Sequence, residues 1–360
     1  MRSQAEIRLS SATLVGQRDH RPAAPLGVLG LGLMGKSIVA CLLASGDRII
    51  ALETDQRRAR AALAKVRNLL RDMKRRGFMA GEPDELITHL SLARNYGDFR
   101  GCALVIESIV EDLPAKRSVI RALERVVSPA TLIASNTSAI PVSSLQRGAA
   151  HPGRILGLHW AEPAHITRFM EIICGQQTRK QYIRLVVALA RRWGKEPSVL
   201  RRDLPGFITN RCMYALIREA FYLVESGYAT VTDVDRSLRN DLGYWITLAG
   251  PFRFMDLTGI PAYAKAMQRI LPTLSCQTRV PRLMRRLITA GAEGVGNARG
   301  FYRYTPAQAR RWQRVFLQFS YDIRDLAQAY PEDIGDHNTR HGPSRRRTRH
   351  AKGLSGTQAF

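Results

Sequence analysis

Leu26-Gly27-Val28-Leu29 is a short apolar run that passes directly into Gly30-Leu31-Gly32-Leu33-Met34-Gly35, and the apolar helical stretch Ser37–Leu43 follows. Three glycines at this spacing, with a strand before them and a helix after, make the turn that carries a backbone up to a dinucleotide pyrophosphate. Gly30 permits the tight turn, Gly32 lets the backbone approach the phosphates, and Gly35 lets helix and strand pack closely. The helix N-terminus adds N–H groups and the positive end of its dipole. Glu53 closes the next apolar run, where a carboxylate accepts hydrogen bonds from the adenosine ribose and repels a 2′-phosphate. NAD is therefore expected over NADP, a preference that the nearby Arg57 and Arg58 would weaken.

Such a turn needs a sheet behind it. From Pro25 to about Leu200 short apolar runs alternate with amphipathic helical stretches, the pattern of a doubly wound α/β sheet. Strands are expected at Leu26–Leu29, Arg48–Leu52, Ala103–Glu107, Thr131–Ala134, Ile155–His159, Phe169–Ile173 and Pro197–Leu200. Helices include Ala115–Val127, Thr178–Trp193 and a long basic one over Gln56–Arg76. At Asp203-Leu204-Pro205-Gly206 the character changes, and only helical periodicities follow, from Phe207–Ser226 to Pro306–Ala327. The expected organisation is a Rossmann-type α/β domain over 25–204 and an all-α domain over 205–330. Basic segments expected to be disordered flank them at 1–24 and 337–360.

The net charge of +25 raises the question of nucleic acid. Of the 55 basic residues only eight are lysine, and the arginines are spread over nearly every segment. A nucleic-acid surface concentrates them on one face with aromatics between, so the charge reads as an arginine-rich composition with a basic tail. The first residues lack the apolar core of a secretory signal, and no apolar run approaches the ~20 residues of a membrane helix. Five scattered cysteines without CxxC spacing suit a reducing compartment, cytoplasmic or alternatively the mitochondrial matrix. No metal site is expected.

His159 and Glu171 carry the candidate chemistry. His159 ends an expected strand, at the carboxyl edge where ligand sites of α/β sheets open, and Glu171 lies in the next strand. A carboxylate holding one ring nitrogen leaves the other to act as a general base. His20, His89, His151, His337, His341 and His350 sit in loops, tails or ordinary helical and strand context.

In order along the chain stand GLGLMG at Gly30, LVIESIVEDLPAK ending at Lys116, ASNTSAIPVSSL from Ala134, RILGLHW ending at Trp160, DLPGFITNR, AGPFRFMDLTG from Ala249, and RGFYRY ending at Tyr304. Together they resemble the L-3-hydroxyacyl-CoA dehydrogenase family from about Leu26 to Tyr304. The resemblance implies an NAD-binding Rossmann domain, then a helical domain forming most of a homodimer interface. It also implies reversible oxidation of the 3-hydroxyl of a 3-hydroxyacyl-CoA, in fatty acid or butanoate-type metabolism. His159 would take the hydroxyl proton and Glu171 would orient it. Ser138 would contact substrate and cofactor, Asn210 would polarise the developing carbonyl, and Glu111 and Lys116 would contact the cofactor. The helical extension after the second strand would meet the CoA nucleotide through its basic residues Arg71, Lys74, Arg75 and Arg76, with Arg76 the expected substrate contact.

Two positions depart from the family pattern. In His159-Trp160-Ala161-Glu162-Pro163 the usual asparagine three residues after the histidine is Glu162, an anion beside the expected nicotinamide site. The family's lysine before its GFY segment has no counterpart in GVGNARGFYRY, which offers Asn297 and Arg299. The alternatives are a dehydrogenase of a free hydroxy acid or sugar acid, and a nucleotide-binding homologue without catalysis.

Overall fold

A computed structural model describes residues 24–330; the segments 1–24, residue 24 apart, and 337–360 lie outside the described residues. Eight strands form one sheet: β1 (Leu26–Leu29), β2 (Ile49–Leu52), β3 (Leu90–Leu92), β4 (Leu104–Glu107), β5 (Leu132–Ser135), β6 (Ile155–Trp160), β7 (Phe169–Ile173) and β8 (Glu196–Leu200). Their spatial order, β3-β2-β1-β4-β5-β6-β7-β8, winds outward in both directions from β1, so the doubly wound expectation holds. Every pairing is parallel except β6 with β7. The 161–168 connection explains the reversal, since a parallel crossover needs a dozen residues or more.

Seven strands fall where the apolar runs place them, within a residue at either end. β3 was not anticipated: it is a three-residue edge strand, half-buried to exposed, too short to show a period. Central strands β1, β4 and β5 are buried throughout, as strands covered on both faces require.

Helices in chain order are α1 (Leu33–Ala44), α2 (Gln56–Arg75), α3 (Pro83–Leu86), α4 (Leu113–Glu124), α5 (Val142–Gln146), α6 (Lys180–Arg192), α7 (Thr209–Glu225), α8 (Val231–Asn240), α9 (Leu242–Ile246), α10 (Pro251–Thr258), α11 (Ile260–Ile270), α12 (Arg282–Thr289) and α13 (Pro306–Ala329). The short α9 was not anticipated either. On α2 the residues Ala59, Ala62, Val66, Leu70 and Met73 are buried at helical spacing, which turns its arginines outward.

From α7 to α12 only Val234 is buried within a helix. These helices leave Tyr214, Tyr244, Ile246, Phe252, Leu257 and Ile288 exposed, a set of apolar side chains a folded chain covers with something. Helix α13 instead returns to the sheet-containing part, where its Tyr321 is buried at 1% exposure.

Candidate active site

The glycine turn has the geometry that its sequence requires. Gly30 adopts φ +93°, and a Cβ there would lie 2.5 Å from the Ser108 carbonyl oxygen. A Cβ on Gly35 would sit 1.9 Å from the Gly30 oxygen, so only glycine permits α1 to start so close to β1. Gly32, by contrast, has nothing within 4 Å of its Cβ position, and α1 starts without a side-chain cap. The open glycine and unsatisfied N–H groups of this helix fit a dinucleotide pyrophosphate. Leu33 is exposed, Met34 is half-buried, and Leu31 is packed into the core. Glu53, just past β2, accepts from the Leu31 N–H at 3.1 Å, so its carboxylate faces the turn as the ribose-binding role needs.

Strand register brings the remaining groups to the same edge. Leu29, Glu107, Ser135 and Gly157 are matched in register across β1, β4, β5 and β6, and His159 lies two residues further along β6. The reversal of β7 sets Glu171 directly opposite His159. His159 Nδ1 is 2.8 Å from Glu171 Oε2, and the ring is packed between Phe169 and Phe207 at centroid distances of 5.4 and 5.7 Å. In the neutral ring, an ionised Glu171 selects the tautomer with the proton on Nδ1 and the lone pair on Nε2.

Glu171 is completely buried and its other oxygen, Oε1, accepts from the Ile208 and Thr209 N–H groups at 3.1 and 2.9 Å. Burial pushes its carboxyl up, but His159 and the Thr209 bonds outweigh that and hold it below its usual value. Left-handed backbone at Gly206 (φ +78°) and Phe207 (φ +52°) turns the chain so that those two N–H groups meet the carboxylate. The sequence singled out this proline–glycine segment as a hinge; its aim at Glu171 appears only in three dimensions.

Ser138 and Asn210 meet across the two parts of the chain: Asn210 Nδ2 donates to the Ser138 carbonyl at 2.8 Å. Glu111 Oε1 accepts from Thr137 Oγ1 and from the Ser138 and Ala139 N–H groups, and this leaves the exposed Ser138 on a fixed loop. Burial raises the Glu111 carboxyl, and these bonds together with Lys116 more than reverse the effect. Lys116, expected at the cofactor, is fully buried, with Nζ 2.8 Å from Glu107 and 3.4 Å from Glu111. Its ammonium is therefore engaged by these two carboxylates and is not exposed at the surface. Ser135 and Thr137 are scaffolding, bonded to Glu107 and Glu111.

Glu107 was missed by the sequence reading. Completely buried, it accepts from Lys116, Ser135 and the Ile109 N–H. An acid closing an apolar strand, as Glu53 does on β2, was the available signal.

Glu162 is exposed in the connection after β6, and Lys36 of α1 is its electrostatic neighbour. Surrounding protein raises its carboxyl above the ordinary range, with Lys36 opposing. Arg76 does not join this group: it is held against Asp72, Gln318 and Tyr321. The structure thus gives that arginine a partner set inside the chain.

Residues 25–204 match the family described as 3-hydroxyacyl-CoA dehydrogenase, NAD binding domain, and residues 206–304 match the 3-hydroxyacyl-CoA dehydrogenase C-terminal domain. The chain belongs to the 3-hydroxyacyl-CoA dehydrogenase family. NAD is its cofactor, and the glycine turn, the uncapped α1 and Glu53 are the residues of this member that fit it. Among curated relatives, the 5-formyl-3-hydroxy-2-methylpyridine 4-carboxylate 5-dehydrogenase of Mesorhizobium japonicum is 31% identical over 80% of this dehydrogenase and 93% of its own length. A probable 3-hydroxybutyryl-CoA dehydrogenase of Bacillus subtilis is 29% identical over 77% and 96%. The solved structure of a 5-formyl-3-hydroxy-2-methylpyridine 4-carboxylic acid 5-dehydrogenase, described as an NAD+-dependent dismutase, superposes with a TM-score of 0.80 at 28% identity, over 86% of this chain and 99% of that one. The (S)-3-hydroxybutyryl-CoA dehydrogenase of Ralstonia eutropha gives 0.66 at 25% identity, over 78% and 99%.

Proposed function

We propose that this family member oxidises the hydroxyl of a 3-hydroxyacyl compound to the ketone, reversibly, with His159 as the general base. The observation that carries the reading is the buried His159–Glu171 pair at 2.8 Å, in register with the edge that holds the glycine turn. NAD, when bound, supplies the hydride acceptor. His159 Nε2 takes the hydroxyl proton, and Glu171 stabilises the imidazolium that results. Because Glu171 Oε1 is fixed by two backbone N–H groups, the pair does not have to reorganise as charge develops. We assign the substrate oxygen to the Ser138 hydroxyl and to Asn210, and the bond from Asn210 to the Ser138 carbonyl, which holds the two residues together, supports this.

Two carriers for the acyl group follow from the relatives. The 3-hydroxybutyryl-CoA dehydrogenases favour a coenzyme A thioester, and the pyridine carboxylate dehydrogenase, with its higher TM-score, favours a free acid. Glu162 in place of asparagine and the occupied Arg76 support the second. In either case we infer a homodimer, because α7 to α12 expose apolar side chains that a second copy would cover. We also infer that the turn at 203–206 divides the chain into an α/β domain and a helical domain.

The reading is tested by His159→Ala. NADH formation from a panel of hydroxyacyl-CoA esters and free hydroxy acids should fall by about three orders of magnitude, with NAD affinity by fluorescence titration unchanged. An undiminished turnover number would remove His159 as the base.

A further inference from the structure

Helix α13 begins at Pro306, past residue 304 where the family match stops. Instead of extending the helical layer it crosses back and grips the α/β part with Gln318, Tyr321 and Arg324, three positions on one helix face. The Tyr321 hydroxyl donates to Asp72 at 2.7 Å, and its ring stacks on Phe78 at 5.1 Å and lies under the Arg76 guanidinium at 4.1 Å. Gln318 accepts from Arg76 Nη2 at 2.9 Å. Arg324 donates to the carbonyls of His165 and Ile166 at 3.3 and 2.7 Å, in the connection that leaves His159 and carries Glu162.

Arg76 therefore has one face against an aromatic ring, an Nη bonded to Gln318, and Nε 3.6 Å from Asp72. The other cations on this end of α2 are matched as well. Arg67 and Arg71 pair with Asp84, Lys74 with Glu82 and the Ala80 carbonyl, and Arg75 with Asp72. A phosphate arriving here meets three carboxylates interleaved with the cations and a tyrosine held beneath the best-placed one. To bind, it must compete with these carboxylates for the N–H donors that phosphate recognition uses. Burial and Asp72 both push the Tyr321 hydroxyl well above its ordinary range, so it remains a donor and keeps the contact at any working pH.

We propose that α13 is a strap that removes the basic end of α2 from substrate recognition, so that the cleft takes a compact hydroxy acid or short acyl compound without a nucleotide handle. This rests on the reading of the His159 cleft as an NAD-linked alcohol dehydrogenase and names the substrate class of that same site. Binding then comes from the acyl portion and its own carboxylate or carbonyl, and the nucleotide of a coenzyme A ester adds nothing.

The test uses the full chain saturated with NAD. Coenzyme A is titrated calorimetrically, and kcat/KM is compared for 3-hydroxybutyryl-CoA and the 3-hydroxybutyryl ester of N-acetylcysteamine, which lacks the nucleotide. No saturable heat up to about 1 mM coenzyme A, and thioesters within about threefold of each other, are expected. Coenzyme A binding tighter than about 100 μM, or a preference of more than about tenfold for its ester, overturns the proposal, whether or not Arg76→Gln abolishes the effect. If no hydroxy compound reduces NAD, the dehydrogenase reading has failed, and the coenzyme A titration still decides the strap on its own.

Discussion

Asn210 donates to the Ser138 carbonyl at 2.8 Å across 72 residues of sequence, joining the first turn of the helical part to the loop after β5. This bond fixes the carboxamide in place, so its loss should harm catalysis more than folding. We expect Asn210→Ala to lower kcat by about 100-fold, with the melting temperature and NAD affinity little changed. A loss confined to KM would mean that the amide holds substrate without sensing the transition state.

Glu171 offers a sharper division of roles. In Glu171→Gln one oxygen can still accept from Ile208 and Thr209, but the counter-charge to the imidazolium is gone. Steady-state kinetics should show kcat reduced by about 100-fold or more with NAD binding intact. Wild-type turnover in this variant would mean that the carboxylate is only structural.

The glycine turn predicts an all-or-none response. Gly35→Ala drives a methyl group into the Gly30 carbonyl, and neither backbone can yield without opening the α1–β1 contact. NAD affinity should drop by more than about 100-fold, measured by fluorescence quenching, while Gly101→Ala, at an exposed glycine with open space at its Cβ position, should leave it unchanged.

His165 sets a pH dependence of stability. Burial takes its imidazole from 6.5 down to about 4, with Lys195 and Arg324 acting in the same direction and Asp72 against. Between those values the unfolded chain binds a proton that the folded chain refuses, so stability falls as pH drops through that window and is retained above it. The loss approaches about 3 kcal/mol below pH 4. Urea midpoints should decline from pH 7 to pH 5, and His165→Asn should flatten that slope. An equal slope in the variant would assign the effect to other groups.

Tyr321 tests how firmly the last helix is fastened. Removing a side chain with 1% exposure that stacks on Phe78 and bonds to Asp72 should cost about 3–5 kcal/mol. Chemical denaturation of Tyr321→Ala reads this directly, and a loss below about 1 kcal/mol would mean that α13 is only loosely laid on the surface.

Much of the fold and of the candidate site was legible along the chain because it depends on near neighbours. Apolar runs of strand length marked seven of eight strands, and the glycine spacing announced a turn whose φ value and close contacts the structure then displayed. A histidine closing one strand and a glutamate in the next were enough to suspect a pair. Lys116 was a harder case: a lysine on an amphipathic helix reads as surface, and only the assembled sheet shows Glu107 waiting beneath it. β3 and α9 are too short for any period to register.

The sequence by itself determined the dinucleotide turn and the strand succession and marked His159 and Glu171 as the candidate pair, since each rests on backbone permissions and spacings along a short stretch of chain. Tertiary structure decided the rest. The short 161–168 connection reverses β7 and so brings Glu171 opposite His159 in register, and left-handed backbone at Gly206 and Phe207 delivers the N–H groups that hold it. The return of α13, which commits Arg76 to Tyr321 and Gln318, joins residues some 240 positions apart. Such contacts depend on which surfaces remain uncovered once the sheet has formed, and no local pattern encodes that.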